Sequence, residues 1–140
     1  MDLSQGAYLT QELLAKTPGG FGYDINYCFE ARTGMKQQAI LASPLSGRLL
    51  EVKSTFPGLQ VYTANWVNST GKYDIKYVSL LIELMYLNFI QVKNTAVALE
   101  PQYWPDTPNH SNFPSTILRP GQDFNEAIEY NFYQIPDSYG

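Results

Sequence analysis

Few residues of this chain can do acid–base or nucleophilic chemistry. It has 13 aspartates and glutamates in 140 residues, with a single histidine, His110, and a single cysteine, Cys28. A carboxylate can exchange protons with a substrate when its surroundings raise its pKa toward neutrality, and carboxylates and carboxamides bind hydroxyl groups. Glu100, Asp24 and Gln60 are among the residues that could take such roles. From the residues alone, each also fits a plainer interpretation, as an exposed strand-end glutamate, a turn aspartate and a solvent-facing glutamine.

The cysteine and the histidine offer little chemistry of their own. One cysteine excludes an internal disulfide and falls far short of a zinc site, so no metal is expected. Cys28 lies between Tyr27 and Phe29 in a predicted strand. Because free cysteine is among the most buried residue types, we predict a buried structural thiol and not a nucleophile.

Composition and charge limit the possible functions. A hydrophobic content of 44% with 16% charged residues predicts one globular domain and not a disordered chain. The net charge of −4, the pI of about 4.8 and the lack of a basic run argue against nucleic acid and membrane partners. The start, Met1 to Gln5, has neither a basic nor an apolar leader region, so we expect a cytoplasmic location.

Short apolar runs punctuated by glycine and proline predict an antiparallel β-sandwich, a mainly-β fold. Alternation in the last predicted strand places Ile128, Tyr130 and Phe132 on one face. The predicted strands are Asp24–Ala31, Gln37–Ala42, Arg48–Ser54, Leu59–Val67, Thr95–Gln102 and Ala127–Gln134.

Two segments have helical character, Gly6–Lys16 and Lys76–Lys93. The second is apolar but too short, and too polar in its middle, to span a bilayer. It fits either a helix or a pair of buried strands, because periodicity does not separate the two.

Two runs near the C-terminal end carry a family resemblance. They are Ala98-Leu99-Glu100-Pro101-Gln102-Tyr103-Trp104-Pro105-Asp106-Thr107-Pro108-Asn109-His110 and Phe113-Pro114-Ser115-Thr116-Ile117-Leu118-Arg119-Pro120-Gly121. They resemble the C-terminal signature of the aldose 1-epimerases (galactose mutarotases), which interconvert the α and β anomers of hexopyranoses. The resemblance extends from about Asp2 to about Phe132. It implies that residues 1–140 form a partial mutarotase-like sandwich domain, the C-terminal part of a roughly twice-longer family member.

The resemblance assigns roles to the three candidates. Glu100 matches the family's general base, Asp24 its hydroxyl-binding aspartate, and Gln60 a glutamine that reaches the sugar. The family usually follows the aspartate with histidine, whereas this chain has Ile25. No cofactor is implied, and His110 corresponds to a structural loop after the base.

Residues 72–94 interrupt the resemblance. The family has a shorter, polar connection at this point, so the segment is either a lineage-specific insertion or a gene-model artefact such as translated intron. Its richness in Ile, Leu, Tyr, Asn and Lys fits the second explanation without establishing it.

The function implied is interconversion of hexose anomers, of galactose or glucose, by acid–base ring opening. The family's general-acid histidine belongs to an N-terminal half that we expect to be absent, so we expect impaired activity. The alternatives are a non-catalytic carbohydrate-binding remnant and a truncated gene product. We also expect marginal stability and self-association through uncovered sheet edges.

Overall fold

The computed structural model describes residues 2–29, 34–66, 94 and 96–135. These residues are mainly β, with antiparallel pairing and little helix, which confirms the predicted fold class. Two 3₁₀ turns, Pro18–Gly20 and Thr107–Asn109, complete the regular structure. The elements are helix α1 (Gln11–Ala15) and strands β1 (Asp24–Cys28), β2 (Lys36–Ser43), β3 (Arg48–Ser54), β4 (Gly58–Tyr62), β5 (Ala98–Gln102) and β6 (Ile128–Gln134).

The chain divides into two compact units. The first contains Met1–Ile25 and Val61–Ala98, and the second contains Asn26–Gln60 and Leu99–Gly140. The strands form two three-stranded sheets, with orders β1-β4-β5 and β2-β3-β6. The second sheet belongs wholly to the second unit, which also holds most residues of the first sheet.

In the first unit, helix α1 is short because it is capped at both ends. The Thr10 side chain accepts a hydrogen bond from Leu13 N at 3.2 Å, which begins the helix. At the other end the Thr17 hydroxyl donates to Leu14 O at 2.7 Å, and Pro18 follows. The helix therefore covers only the C-terminal half of the predicted segment Gly6–Lys16. Among the described residues of this unit, the buried apolar side chains are Leu14, Tyr23, Val61 and Ala64.

In the second unit, β3 is the central strand of the sheet β2-β3-β6. Val52 lies in the middle of β3, opposite Ala39 on β2 and Tyr130 on β6, and is fully buried. The register shifts between Gln37 and Ala39, where β2 contains a bulge. This central position gives β3 ladder partners on both sides.

The two faces of this sheet differ in polarity. As predicted, Ile128, Tyr130 and Phe132 share one face of β6, and they lie opposite alternate residues of β3. Phe132 is 78% exposed, and β2 and β6 are the outer strands of the sheet in the part of the chain described here. Self-association through such edges stays a prediction.

The other face carries a polar network centred on Glu51. Its carboxylate accepts from Tyr133 Oη at 3.1 Å and Asn131 Nδ2 at 3.3 Å, and lies 3.2 Å from Lys53 Nζ. Desolvation acts to raise the pKa of this carboxyl, but the three donors outweigh it and hold the pKa below its ordinary value. Lys53 also lies 3.7 Å from Glu129, so the network continues across the sheet.

The predicted strand positions agree with the structure, with differences at their ends. The prediction Arg48–Ser54 matches β3. Strand β6 begins at Ile128, one residue later than the predicted start at Ala127. The fourth strand ends at Tyr62 and not at Val67, because Ala64 turns to a φ of +54°. The fifth begins at Ala98, and the first ends at Cys28.

The prediction for Cys28 was wrong, since its thiol is exposed at the end of β1. Cys28 is the last residue of an outer strand of the sheet β1-β4-β5. Its Sγ lies 3.6 Å from Asn26 Oδ1, and partial desolvation raises the pKa of the thiol, which disfavours the thiolate.

Several sequence predictions concern the segment Lys76–Lys93, which lies outside the described residues, as does most of the predicted insertion 72–94. None of the helices described has the length and apolar character that crossing a membrane requires. Within the same described ranges, no group of three His, Cys, Asp or Glu side chains is placed to hold a metal ion.

Candidate functional site

The three predicted site residues lie on the three strands of one sheet. Gln60 is the half-buried middle residue of β4, and Glu100 is the exposed middle residue of β5. Because β4 and β5 are hydrogen-bonded neighbours, the second unit brings these two residues onto adjacent strands. Asp24 is the exposed first residue of β1 and belongs to the first unit.

The ends of β1, β4 and β5 meet at one backbone carbonyl in the second unit. Pro57 O, directly before β4, accepts from Phe29 N at 2.8 Å and from Trp104 Nε1 at 2.7 Å. Phe29 follows β1, and Trp104 follows β5 by two residues. This carbonyl therefore fixes the start of β4 against the ends of both neighbouring strands, two to three residues from Gln60.

The next residue, Gly58, must lack a side chain at this junction. A Cβ there would lie 2.8 Å from Asn26 Oδ1, 3.0 Å from Trp104 Cδ1 and 3.1 Å from Gln102 O. Its backbone conformation is an ordinary one, so close packing between strands, and not torsional strain, requires glycine here. The junction around Pro57, Gly58 and Trp104 is called the strand junction below.

Aromatic stacking continues from the strand junction into the loop after β5. Trp104 packs edge-to-face on Phe113 with ring centroids 5.0 Å apart, and Phe113 stacks on His110 at 4.5 Å. His110 Nε2 lies 3.1 Å from Asp106 Oδ2. These contacts all lie within residues 104–113 and favour the structural role predicted for His110.

A second set of contacts holds the residue after β5. Tyr103 Oη donates to Glu126 at 2.7 Å, and the other oxygen of that carboxylate accepts from the Thr55 hydroxyl. The hydrogen bond to Glu126, with some desolvation, raises the pKa of Tyr103. Ala127 N in turn donates to Thr55 Oγ1 at 2.9 Å. The region just before β6 is thereby attached to the end of β5.

In the first unit, a buried polar cluster precedes Asp24. Thr63 Oγ1 accepts from Tyr23 N at 2.8 Å and lies 2.7 Å from Asn65 Oδ1. Tyr23 O accepts from Thr63 N at 3.0 Å and from Asn65 Nδ2 at 2.9 Å. Tyr23, Thr63 and Asn65 are each at most 2% exposed. Together with Asn94 they form what is called the Tyr23 cluster below.

Asn94 and Gly22 complete the surroundings of this cluster. The Asn94 amide, oriented with its nitrogen toward the cluster, lies within 2.8 Å of Thr63 O and 2.9 Å of Asn65 Oδ1. Its backbone N donates to Ala64 O at 3.3 Å, so the two ends of the intervening chain segment meet here. Gly22 has a φ of +116°, and a Cβ there would lie 2.4 Å from Asn65 Oδ1.

Sequence reasoning missed the residues that hold the candidates in place. Thr63 and Asn65 belong to the predicted strand Leu59–Val67, and Asn94 was assigned to the predicted insertion. Only a tertiary contact brings the three together. A usable signal was present at Gly22, two residues before a predicted strand, since a glycine at such a place often marks close backbone approach.

Comparison with known proteins assigns a family. The family model of the aldose 1-epimerases matches residues 1–131 of this chain. The chain is similar to the galactose mutarotases of Mus musculus and Homo sapiens, with 34% and 33% identity over 113 residues. It is also similar to the aldose 1-epimerase of Escherichia coli K12, with 30% identity over 114 residues.

These alignments cover 79% of this chain and 29% of each relative. The relatives are thus more than three times as long as the part that they share with it, and more than twice as long as this chain of 140 residues. The matched residues 1–131 include Asp24, Gln60 and Glu100. By this match, the chain belongs to the aldose 1-epimerase family.

Proposed function

We propose that this chain carries part of a sugar site that interconverts the α and β anomers of a hexopyranose. The observation that carries the proposal is the position of Glu100, an exposed carboxylate on β5 beside the strand that bears Gln60. Both residues lie within the span matched by the family model. Galactose and glucose are the expected substrates.

In this proposal Glu100 is the general base. Anomer exchange requires removal of the proton from the anomeric hydroxyl and protonation of the ring oxygen as the C1–O5 bond breaks. A carboxylate can take that proton and return it when the ring closes on the other face, and such catalysis contributes about 10²–10⁴-fold. No bond to the protein forms, and no cofactor is needed.

Gln60 and Asp24 are proposed to bind hydroxyl groups. A glutamine side chain both donates and accepts, and an aspartate accepts two or more hydrogen bonds, which matches the donor and acceptor character of a sugar hydroxyl. The side chain of Gln60 is half-buried on β4, next to the strand of Glu100. That position favours a role in orienting the ring relative to the base.

The chain's only histidine does not favour an acid role. His110 is stacked on Phe113 and paired with Asp106, and both contacts belong to the loop that follows β5. We therefore propose weak or absent turnover by this chain alone. The second candidate function is carbohydrate binding without turnover, which the same absence of a histidine acid favours.

The test is magnetisation exchange between the anomeric protons of galactose and of glucose, measured by NMR with and without the purified chain. Faster exchange that disappears in Glu100→Gln supports an epimerase site. Glu12→Gln, which alters an exposed carboxylate of α1 paired with Lys16 at 2.6 Å, is the matched control and should change nothing.

A galactose titration of the same samples separates the two candidate functions. Binding without faster exchange would favour the carbohydrate-binding alternative. A folded sample that shows neither galactose binding nor faster exchange would refute both candidate functions.

Sedimentation of these samples also measures the predicted self-association.

A further inference from the structure

We propose that Thr63 is a positioning residue for Asp24, acting through both backbone groups of Tyr23. This inference rests on the proposed function, since it takes Asp24 as a sugar-binding residue. It concerns the first unit alone, where Thr63, Tyr23 and Asp24 all lie. Thr63 itself is 2% exposed and cannot reach a ligand in solution.

The argument begins with the peptide groups next to Asp24. Tyr23 N donates to Thr63 Oγ1 at 2.8 Å, and Tyr23 O accepts from Thr63 N at 3.0 Å. One residue therefore binds both the donor and the acceptor of Tyr23. The carbonyl belongs to the peptide group whose nitrogen is that of Asp24, so these bonds orient the backbone from which the Asp24 side chain projects.

The hydroxyl of Thr63 has its shortest acceptor in Asn65 Oδ1, while Tyr23 O lies farther away at 3.4 Å. The hydroxyl accepts from Tyr23 N, so its own hydrogen is available to Asn65 Oδ1, 2.7 Å away. Asn65 Nδ2 then donates to Tyr23 O at 2.9 Å, which closes a ring of hydrogen bonds. A closed ring in a buried setting is directional, and loss of one hydroxyl leaves Tyr23 N and Asn65 Oδ1 with fewer partners.

Sugar recognition depends on such placement, because misplacing a binding group by about 1 Å can cost about two orders of magnitude in rate. Asp24 is the first residue of β1, directly after Tyr23. Thr63 therefore acts on the placement of Asp24 through the backbone of Tyr23. The Thr63 methyl group does not take part in these hydrogen bonds.

The test compares Thr63→Val, which keeps the shape but removes the hydroxyl, with Thr63→Ser, which retains the hydroxyl. We expect about tenfold weaker galactose binding by Thr63→Val, a change in binding free energy about the size of one hydrogen bond. Thr63→Ser should bind galactose nearly as well as the wild type. Thr10→Val is the matched control, because it also removes a threonine hydroxyl of the first unit, one that accepts from Leu13 N at 3.2 Å and caps helix α1 outside the Tyr23 cluster. It should lose stability without losing affinity.

A second readout keeps the inference separate from the proposed function. The backbone amide shift and the carboxyl ¹³C shift of Asp24 report its conformation without any sugar. Changes in Thr63→Val that are absent in Thr63→Ser and Thr10→Val support positioning, even if the wild type binds no galactose and the proposed function fails. Asp24 signals in Thr63→Val that superpose on those of the wild type, or an equal loss of affinity in Thr10→Val, would overturn it.

Discussion

The two candidate carboxylates are supported by different kinds of structure. Asp24 follows the Tyr23 cluster, where buried polar side chains hold the backbone through directional hydrogen bonds. Glu100 lies on β5, whose end is held at the strand junction by one indole hydrogen bond and by packing of Trp104 against its neighbours. A substitution in a buried polar cluster costs much stability, because each lost hydrogen-bond partner leaves another buried group unsatisfied. A substitution in a packed region that removes only some of the contacts costs less.

The largest expected effect comes from placing a side chain inside the Tyr23 cluster. In Gly22→Ala the added Cβ would lie 2.4 Å from Asn65 Oδ1 and 2.5 Å from Thr63 Oγ1, at a φ of +116° that alanine rarely adopts. We expect a loss of about 3 kcal/mol or more in the free energy of unfolding, measured by urea denaturation.

Gly121→Ala is the matched control for Gly22→Ala. Gly121 has a φ of +84°, but a Cβ there would meet nothing within 4 Å in the described part of the chain. Only the backbone strain remains, and we expect a loss of about 1 kcal/mol. Equal losses in the two variants would show that the cluster is less tightly packed than argued here.

A smaller effect is expected at the strand junction. Trp104→Phe removes the indole N–H but keeps an aromatic ring, and Pro57 O retains its hydrogen bond from Phe29 N. Because no buried acceptor is left without a partner, we expect a loss of about 1 kcal/mol in urea denaturation. A loss as large as that of Gly22→Ala would contradict the contrast between the two regions.

The smallest effect should appear at the polar face of the sheet β2-β3-β6, and its size should depend on pH. The pKa of Glu51 is lowered in the folded state, so its stabilising contribution is complete above its unfolded pKa of about 4.3. It is lost as the pH falls through the folded pKa. Glu51→Gln should therefore have a lower urea midpoint than the wild type at pH 7, and the difference should shrink below about pH 4.

Glu12→Gln removes the same charge from the exposed helix α1 and serves as the control for net charge. A midpoint difference between Glu51→Gln and the wild type that stays constant down to pH 2 would mean that packing, and not the charge of Glu51, accounts for it.

The sequence by itself predicted the strands with strong alternation or clear turn residues at their ends. Arg48–Ser54 is such a case, between the turn at Gly47 and the bend at Phe56-Pro57. Local signals failed where a long-range contact decides the outcome. Thr63 and Ala64 continue an apparently regular strand in sequence, but hydrogen bonds to Tyr23 and a positive φ at Ala64 end β4 at Tyr62.

The same division applies to the site. The motif around Glu100 and its family resemblance follow from the sequence, because residue types and local spacing define them. The residues that hold Asp24 and β5 do not, because Tyr23 and Thr63 are 40 positions apart and Pro57 and Trp104 are 47 positions apart. Only the tertiary structure selects such partners, since any of many polar residues could satisfy a buried donor and the fold decides which one lies within reach.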